Sequence, residues 1–258
     1  MYKTSYDKSE CQIGVIHIGY GAFHRAHQAV YIDDYMEKTG DLSWGIVAVN
    51  LRNEGFREIE DYVLKTPSQC RLVRSHLDYV DWTQSRAIAK HLLTLPSVHL
   101  ISITVTESGY SPGSPLFEYL ACGLRNRNSP ITIMCCDNIR QNGLVLETQF
   151  LAYLYQTNQH ELAIWVKENV KFPSCMVDRI TPRTTEFLKE EIEEMMGGLR
   201  KNMDESIVDQ LERVLKKEKR KETIEDLLDE STEEEKAMKE LYEKWNEKWN
   251  KEIKEKAN

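Results

Sequence analysis

An apolar run, Ile13 to Ile18, leads directly into Gly19-Tyr20-Gly21-Ala22-Phe23-His24-Arg25, and a helical pattern then runs from Ala22 to Lys38. This junction of strand, glycine turn and helix constrains the fold more than any other feature of the chain. The apolar run has no helical period, which makes it a strand candidate. Gly40 follows the helical pattern where a C-cap glycine belongs. Further strand candidates are Gly45–Val49, the β-branched run Val98–Val105, and Ile131–Cys135; helical stretches lie between them and again from about Leu144 to Val170. Alternation of this kind predicts an α/β fold, a doubly wound, mostly parallel Rossmann-like sheet with helices on both faces and right-handed crossovers.

In such a sheet the first strand-to-helix turn is where a dinucleotide pyrophosphate binds. Gly19 lets the chain turn tightly out of the strand, and Gly21 lets backbone approach the phosphates. The helix starting with Ala22 and Phe23 points its first N–H groups at the anion. His24 stands where the third glycine of the GxGxxG pattern belongs, so on pattern alone a purely structural turn is the equal alternative. Arg25 has two readings, a phosphate contact or a helix-surface arginine. After the second strand the chain reads Val49-Asn50-Leu51-Arg52-Asn53-Glu54, with no Asp to hold the adenosine ribose. Asn50 is the candidate ribose partner and Arg52 the candidate for a 2′-phosphate. NAD is the expected cofactor, with NADP left open.

Composition removes other classes. The net charge of -8 gives no electrostatic reason to expect nucleic acid or an anionic membrane as partner. No apolar run is long enough to span a bilayer. The polar stretch Met1–Gln12 does not resemble a secretory leader. The six cysteines form no CxxC pair and no zinc-spaced Cys/His cluster, which points to reduced thiols, no metal and a cytoplasmic location.

The character of the chain changes at Pro182. About 40 charged residues fall in 183–258, against about 36 in 1–182. The expected organisation is therefore a dinucleotide-binding domain over 1–182 and a charged helical segment over 183–258. Gly197-Gly198 reads as a break between helices. Ile207, Leu211, Val214 and Leu215 recur at helical spacing, as do Met238, Leu241, Tyr242, Trp245, Trp249 and Ile253. Ser231 and Glu234 read as a capping box. EKWN occurs twice in succession from Glu243. The apolar stripe has two readings, packing within the chain or mediating self-association or partner binding.

The run Gly19 to Asp34, GYGAFHRAHQAVYIDD, resembles the N-terminal signature of the mannitol dehydrogenase family of long-chain, metal-independent polyol and hexonate dehydrogenases. Three further stretches match in order: ISITVTESGY at 101–110, ITIMCCDNIRQNG at 131–143 and NVKFPSCMVDRITP at 169–182. The resemblance implies hydride transfer between NAD and the secondary alcohol or ketone of a small polyol or sugar acid. Asn138 matches the family asparagine that hydrogen-bonds the reacting oxygen; read without the family it is a turn residue. Asp178 matches the aspartate of the Val-Asp-Arg motif beside the substrate pocket; its alternative is an ion pair with Arg179 or another cation. Glu107 and Gly109 fall where the nicotinamide half would lie, and Ser108 stands where family members often carry lysine.

The sequence also departs from that pattern. The family's second domain supplies a base lysine with an asparagine and a histidine on one helix, and nothing here matches it; the last histidine is His160. Lys189, Lys216 and Lys244 read as charged helix faces. Two loops, between Val63 and Ser75 and after Tyr110, are short for the family. An incomplete active site is expected, and the rival reading is a catalytically inactive nucleotide-binding module, truncated or rebuilt as a scaffold.

Overall fold

Strands that are apolar on both faces need a layer on each side, and the chain supplies both layers. The computed structural model describes residues 2–52, 61–66, 70–105, 107–111, 113–177, 181, 185–188, 190–192 and 194, all within the unit Met1–Glu194. Asp178, the glycine break, the capping box and the Trp245/Trp249 face lie outside the described residues.

The sheet strands are β1 (Ile13–Ile18), β2 (Gly45–Asn50), β5 (His76–Asp81), β6 (Leu100–Ile103), β7 (Ile131–Cys135) and β8 (Val170–Lys171). They form one six-stranded sheet in the order β5-β2-β1-β6-β7-β8, every pairing parallel. A separate antiparallel hairpin, β3 (Tyr62–Lys65) with β4 (Cys70–Val73), is inserted before β5. The chain thus winds outward from β1 to β2 and β5, then jumps across β1 to β6 and winds the other way. The reversal between β1 and β6 is the topological switch point, where the carboxyl ends of the strands open a crevice.

Alternation along the strands sorts side chains between the layers. Ile16, Ile18, Val47, Val49, Ile101 and Ile103 join α3 (Arg86–Thr94), α4 (Pro115–Leu124), α5 (Asn142–Gln156) and α6 (His160–Asn169) in the larger core. Val15 and Ile46 join Ala29 and Val30 of α2 (Gln28–Thr39) and Val73 of the hairpin in the smaller one. Each fully buried side chain such as Phe117 or Leu93 contributes about 1.5–3 kcal/mol.

Two expectations are corrected, and the helical stretches expected from about Leu144 to Val170 are observed as two helices. The helix expected over Ala22–Lys38 is two helices, α1 (Ala22–Ala26) and α2, because His27 leaves the helical region at φ -122, ψ -91 and stacks its ring on Phe23. The stretch from Leu144 to Val170 is α5, α6 and the first residue of β8, divided where Asn158 takes a left-handed φ of 58; asparagine tolerates that conformation well. The segment between Val63 and Ser75, read as a shortened loop, carries the hairpin strands.

The hairpin is tied to α2 by charge. Arg71 of β4 donates to Asp33 at 2.7 Å and to Asp34 at 2.8 Å, and Asp33 is fully buried. Asp33 also accepts from the Tyr6 hydroxyl at 2.5 Å and from the Arg74 N–H at 3.1 Å. A buried ion pair adds little over an apolar pair, but breaking one strands a charge. Arg71→Met is therefore expected to lower stability by about 3–5 kcal/mol in urea unfolding, and Asp33→Asn added to it to restore part of the loss. A loss below about 1 kcal/mol for the single variant would contradict the role given to this pair.

Candidate functional site

The glycine turn follows β1 at the switch point. Gly19 has φ 100, and a Cβ there would sit 2.3 Å from the Thr104 carbonyl oxygen. The chain's own backbone thus requires glycine at this position. Gly21 differs. Its φ of -104 suits any residue, and among the described residues a Cβ there would meet only the Gly19 oxygen, at 3.8 Å. Nothing among the described residues requires glycine at 21, and they leave space open beside it.

The N–H groups of the turn itself are occupied. Gly19 N–H donates to Val49 O at 3.0 Å, Tyr20 N–H to Asn50 Oδ1 at 3.1 Å, and Gly21 N–H to Gly19 O at 2.7 Å. Among the described residues no side chain caps α1, so the outward donors are the first-turn amides of Ala22 and Phe23. Asn50, expected as a ribose partner, is buried and braces the turn through its amide oxygen. Arg52 is exposed just beyond β2. Arg25 lies 5.4 Å from the centre of the Tyr20 ring and 5.8 Å from that of Tyr62, whose hydroxyl donates to Arg25 O.

Beneath the turn lie three buried imidazoles. His17, inside β1, has Nδ1 2.7 Å from Ser102 Oγ and Nε2 3.0 Å from both the Gly19 carbonyl oxygen and Thr104 Oγ1. A carbonyl only accepts, so the proton sits on Nε2, and Nδ1 accepts from Ser102. His24, at the third-glycine position, stacks on His17 with centroids 3.3 Å apart and planes 8° apart. The stack makes the close strand–helix contact that a glycine would otherwise permit. His24 Nε2 lies 2.9 Å from His76 Nε2, a contact that needs one proton between two nitrogens. Burial pushes His17 down to about 3 and holds His24 and His76 well below the ordinary imidazole value. All three are neutral at pH 7.

The second wall is built on β6 and β7. Glu107 begins a single 3-10 turn, Glu107–Tyr110, after β6. The Tyr110 hydroxyl donates to Asp137, whose other oxygen accepts from Ile139 N–H at 3.0 Å. Asn138 follows Asp137 at the carboxyl end of β7; it is exposed, and its amide has no hydrogen-bond partner among the described residues. Asn142 is fully buried and joins two segments. Its nitrogen donates to the carbonyls of Cys135 (3.3 Å), Asp137 (3.1 Å) and Cys175 (2.8 Å); its oxygen accepts from Cys175 N–H (3.0 Å) and Gly143 N–H (2.8 Å). The segment that leads towards the Val-Asp-Arg motif is thereby fixed to the Asn138 turn. Among the described residues no group of three or more His, Cys, Asp or Glu is placed to hold a metal ion, and no helix is long and apolar enough to cross a membrane.

The sequence names the turn and Asn138 as candidates but not the residues that support them. His17 interrupts an otherwise apolar strand, and that was the available signal, since a buried polar side chain needs a partner. Asn142 was hidden because Asn-Gly after a strand reads as a plain turn.

Comparison with known proteins fits this geometry. The chain matches the family described as "Mannitol dehydrogenase Rossmann domain" over residues 13–213. It belongs to that family. The mannitol 2-dehydrogenase of Phaeosphaeria nodorum is 31% identical over 232 residues, covering 75% of this chain and 40% of the relative. The D-mannonate oxidoreductase of Escherichia coli is 31% identical over 236 residues, covering 76% and 48%. Among solved structures, Pseudomonas fluorescens mannitol 2-dehydrogenase in a ternary complex with NAD and D-mannitol superposes with a TM-score of 0.67 at 28% identity, covering 75% of this chain and 47% of that one. The chain thus spans about half the length, or less, of these relatives. What it shares with the mannitol dehydrogenase family is the Rossmann domain.

The neutral imidazoles make this Rossmann domain acid-sensitive. Unfolded histidine titrates near 6.5, whereas His17 in the fold does so near 3. The unfolded chain therefore takes up protons that the folded chain refuses. Stability is fully present above about pH 6.5 and falls as pH drops towards 3, by about 1.4 kcal/mol per pH unit for each such histidine. Urea unfolding between about pH 7.5 and about pH 5 is expected to show this decline, with a shallower slope in His76→Gln. Equal slopes in the two proteins would show that His76 is not held neutral.

Proposed function

We propose that this chain is the cofactor half of a nicotinamide-dependent polyol or hexonate dehydrogenase, with NAD as coenzyme. The observation that carries the reading is Gly21. No described residue demands a glycine there, and position 21 is the N-cap of α1, whose first turn carries no side-chain cap among the described residues. A pyrophosphate suits that position, because a helix start offers N–H donors and a favourable dipole. Gly19, Gly21, Ala22 and Phe23 would hold it; Asn50 would act by fixing Tyr20. Glu107 belongs with the nicotinamide end, and Arg25 stands beside the turn.

The coenzyme supplies the hydride acceptor. The chain supplies what surrounds the reacting alcohol on one side. Asn138, exposed at the end of β7, would hydrogen-bond the oxygen as negative charge builds on it, and a neutral amide does so without taking the proton. Tyr110, Asp137 and Asn142 hold its turn in place. Asp178 would orient substrate hydroxyls or a base. The family's lysine base has no match in these residues, and a general base is worth about 10²–10⁴ in rate. A second reading therefore stands beside the first, a nucleotide-binding module with little turnover. We place the protein in the cytoplasm, where its six free thiols would stay reduced.

Gly21→Asp is expected to weaken NADH binding by more than about tenfold through steric and charge conflict with the phosphates, while the thermal midpoint stays within a few degrees. Unchanged affinity would remove the phosphate contact. Turnover assayed over mannitol, arabinitol, fructose and fructuronate separates the two readings. Clear turnover abolished by Asn138→Ala supports the dehydrogenase; saturable NADH binding without turnover supports the module.

A further inference from the structure

Two thiols meet at the carboxyl end of β7. Cys136, the first residue past the strand, is buried, and its N–H donates to Ile103 O at 2.8 Å. Its thiol is hydrogen-bonded to that of Cys175. Asn142 holds the two backbones together. It donates to Cys175 O at 2.8 Å and to Cys135 O at 3.3 Å, and accepts from Cys175 N–H at 3.0 Å. Cys175 Sγ also donates to Cys135 O, the carbonyl of the peptide bond that leads into Cys136. The thiol contact therefore rests on a backbone frame and not on the two side chains alone.

Cys135 is turned the other way. Alternation along β7 sends it into the larger core, with its sulfur against the Tyr110 hydroxyl. The other cysteines lie elsewhere: Cys11 precedes β1, Cys70 opens β4 and Cys122 is in α4. Cys175 is half-buried, between the exposed Ser174 and Met176. Among the described residues it is the member of the pair that an oxidant reaches first, with Cys136 behind it as the resolving thiol. Burial raises both thiols, Cys136 to about 12, and the hydrogen bond between them opposes that rise at Cys175. The arrangement favours Cys175 as the attacking thiolate.

We propose that Cys136 and Cys175 are a redox modification site, closing to a reversible disulfide when the chain meets a low-molecular-weight disulfide such as oxidised glutathione. The Cys175 thiolate attacks one sulfur of the oxidant, whose S–S bond breaks and releases one glutathione thiolate. The Cys136 thiolate then attacks the Cys175 sulfur and releases the second. Each cysteine loses one proton to a departing thiolate, and two electrons pass from the pair to the oxidant. The bond fastens the Asn138 turn covalently to the stretch around Cys175. The test treats the native full chain with oxidised glutathione at about pH 8, then alkylates, digests with trypsin and maps the peptides by mass spectrometry. The expected product is residues 128–140 linked to residues 172–179, with fragmentation placing the bond on Cys136 and dithiothreitol reversing it. Cys135→Ala is expected to close the same bond, and Cys136→Ala to stop at a glutathione adduct on Cys175. A bond on Cys135, a glutathione adduct that persists on Cys175 in the unaltered chain, or no linked peptide at all overturns the proposal.

Discussion

The glycine turn at the end of β1 rests on a buried imidazole that must stay neutral. His17 donates from Nε2 to the Gly19 carbonyl, and the same carbonyl accepts from the Thr104 hydroxyl at 2.8 Å. This one oxygen joins β1, the turn and the end of β6. His24 adds a ring stack from α1, and His76 adds a link to β5. The crevice is shaped by these contacts. A parallel sheet alone would leave the turn free to move, and a moving turn would not present the amides of Ala22 and Phe23 at a fixed place.

The crevice has two sides built on different physics. On the β1–β2 side, backbone geometry does the work: a left-handed Gly19, an open Gly21 and an uncapped helix start. On the β6–β7 side, side-chain hydrogen bonds do it. Asn142 uses both ends of its amide, with no capacity left over, to tie β7 to the stretch ending at Cys175. Such fully satisfied buried networks specify one arrangement, because any shift leaves a polar group unpaired. A rigid floor on one side and a pinned turn on the other would suit the proposed hydride transfer, in which donor and acceptor must be held in register.

Much of this was legible in the sequence, for identifiable reasons. Ile13–Ile18 and Ile131–Cys135 are found at their observed bounds because long runs of apolar, β-branched residues have few other homes. β5 was not found, because His76, Asp78 and Asp81 disguise a buried strand as a polar loop; each makes sense only beside its partner, as His76 does beside His24. β3 and β4 are short and half-polar, and they gain definition from Arg71 reaching Asp33, a contact across 38 residues. The break at His27 carries no glycine or proline signal. It follows from seating two rings, His24 on His17 and His27 on Phe23. At the candidate site, the residues proposed to touch a ligand stand out in the sequence because their types suit that chemistry. Those that hold them, His17, His76, Tyr110 and Asn142, do not, because their roles exist only in three dimensions.

In the proposed complex a nicotinamide dinucleotide lies across the carboxyl ends of β1 and β6 with its phosphates on the first turn of α1. Backbone ¹H–¹⁵N spectra of the full chain, recorded during titration with NADH, test it most directly. The amides of Gly21, Ala22 and Phe23 are expected to shift most, with smaller shifts at Tyr20 and around Glu107. Saturating shifts confined to other parts of the sheet, or no shifts at all, would contradict it.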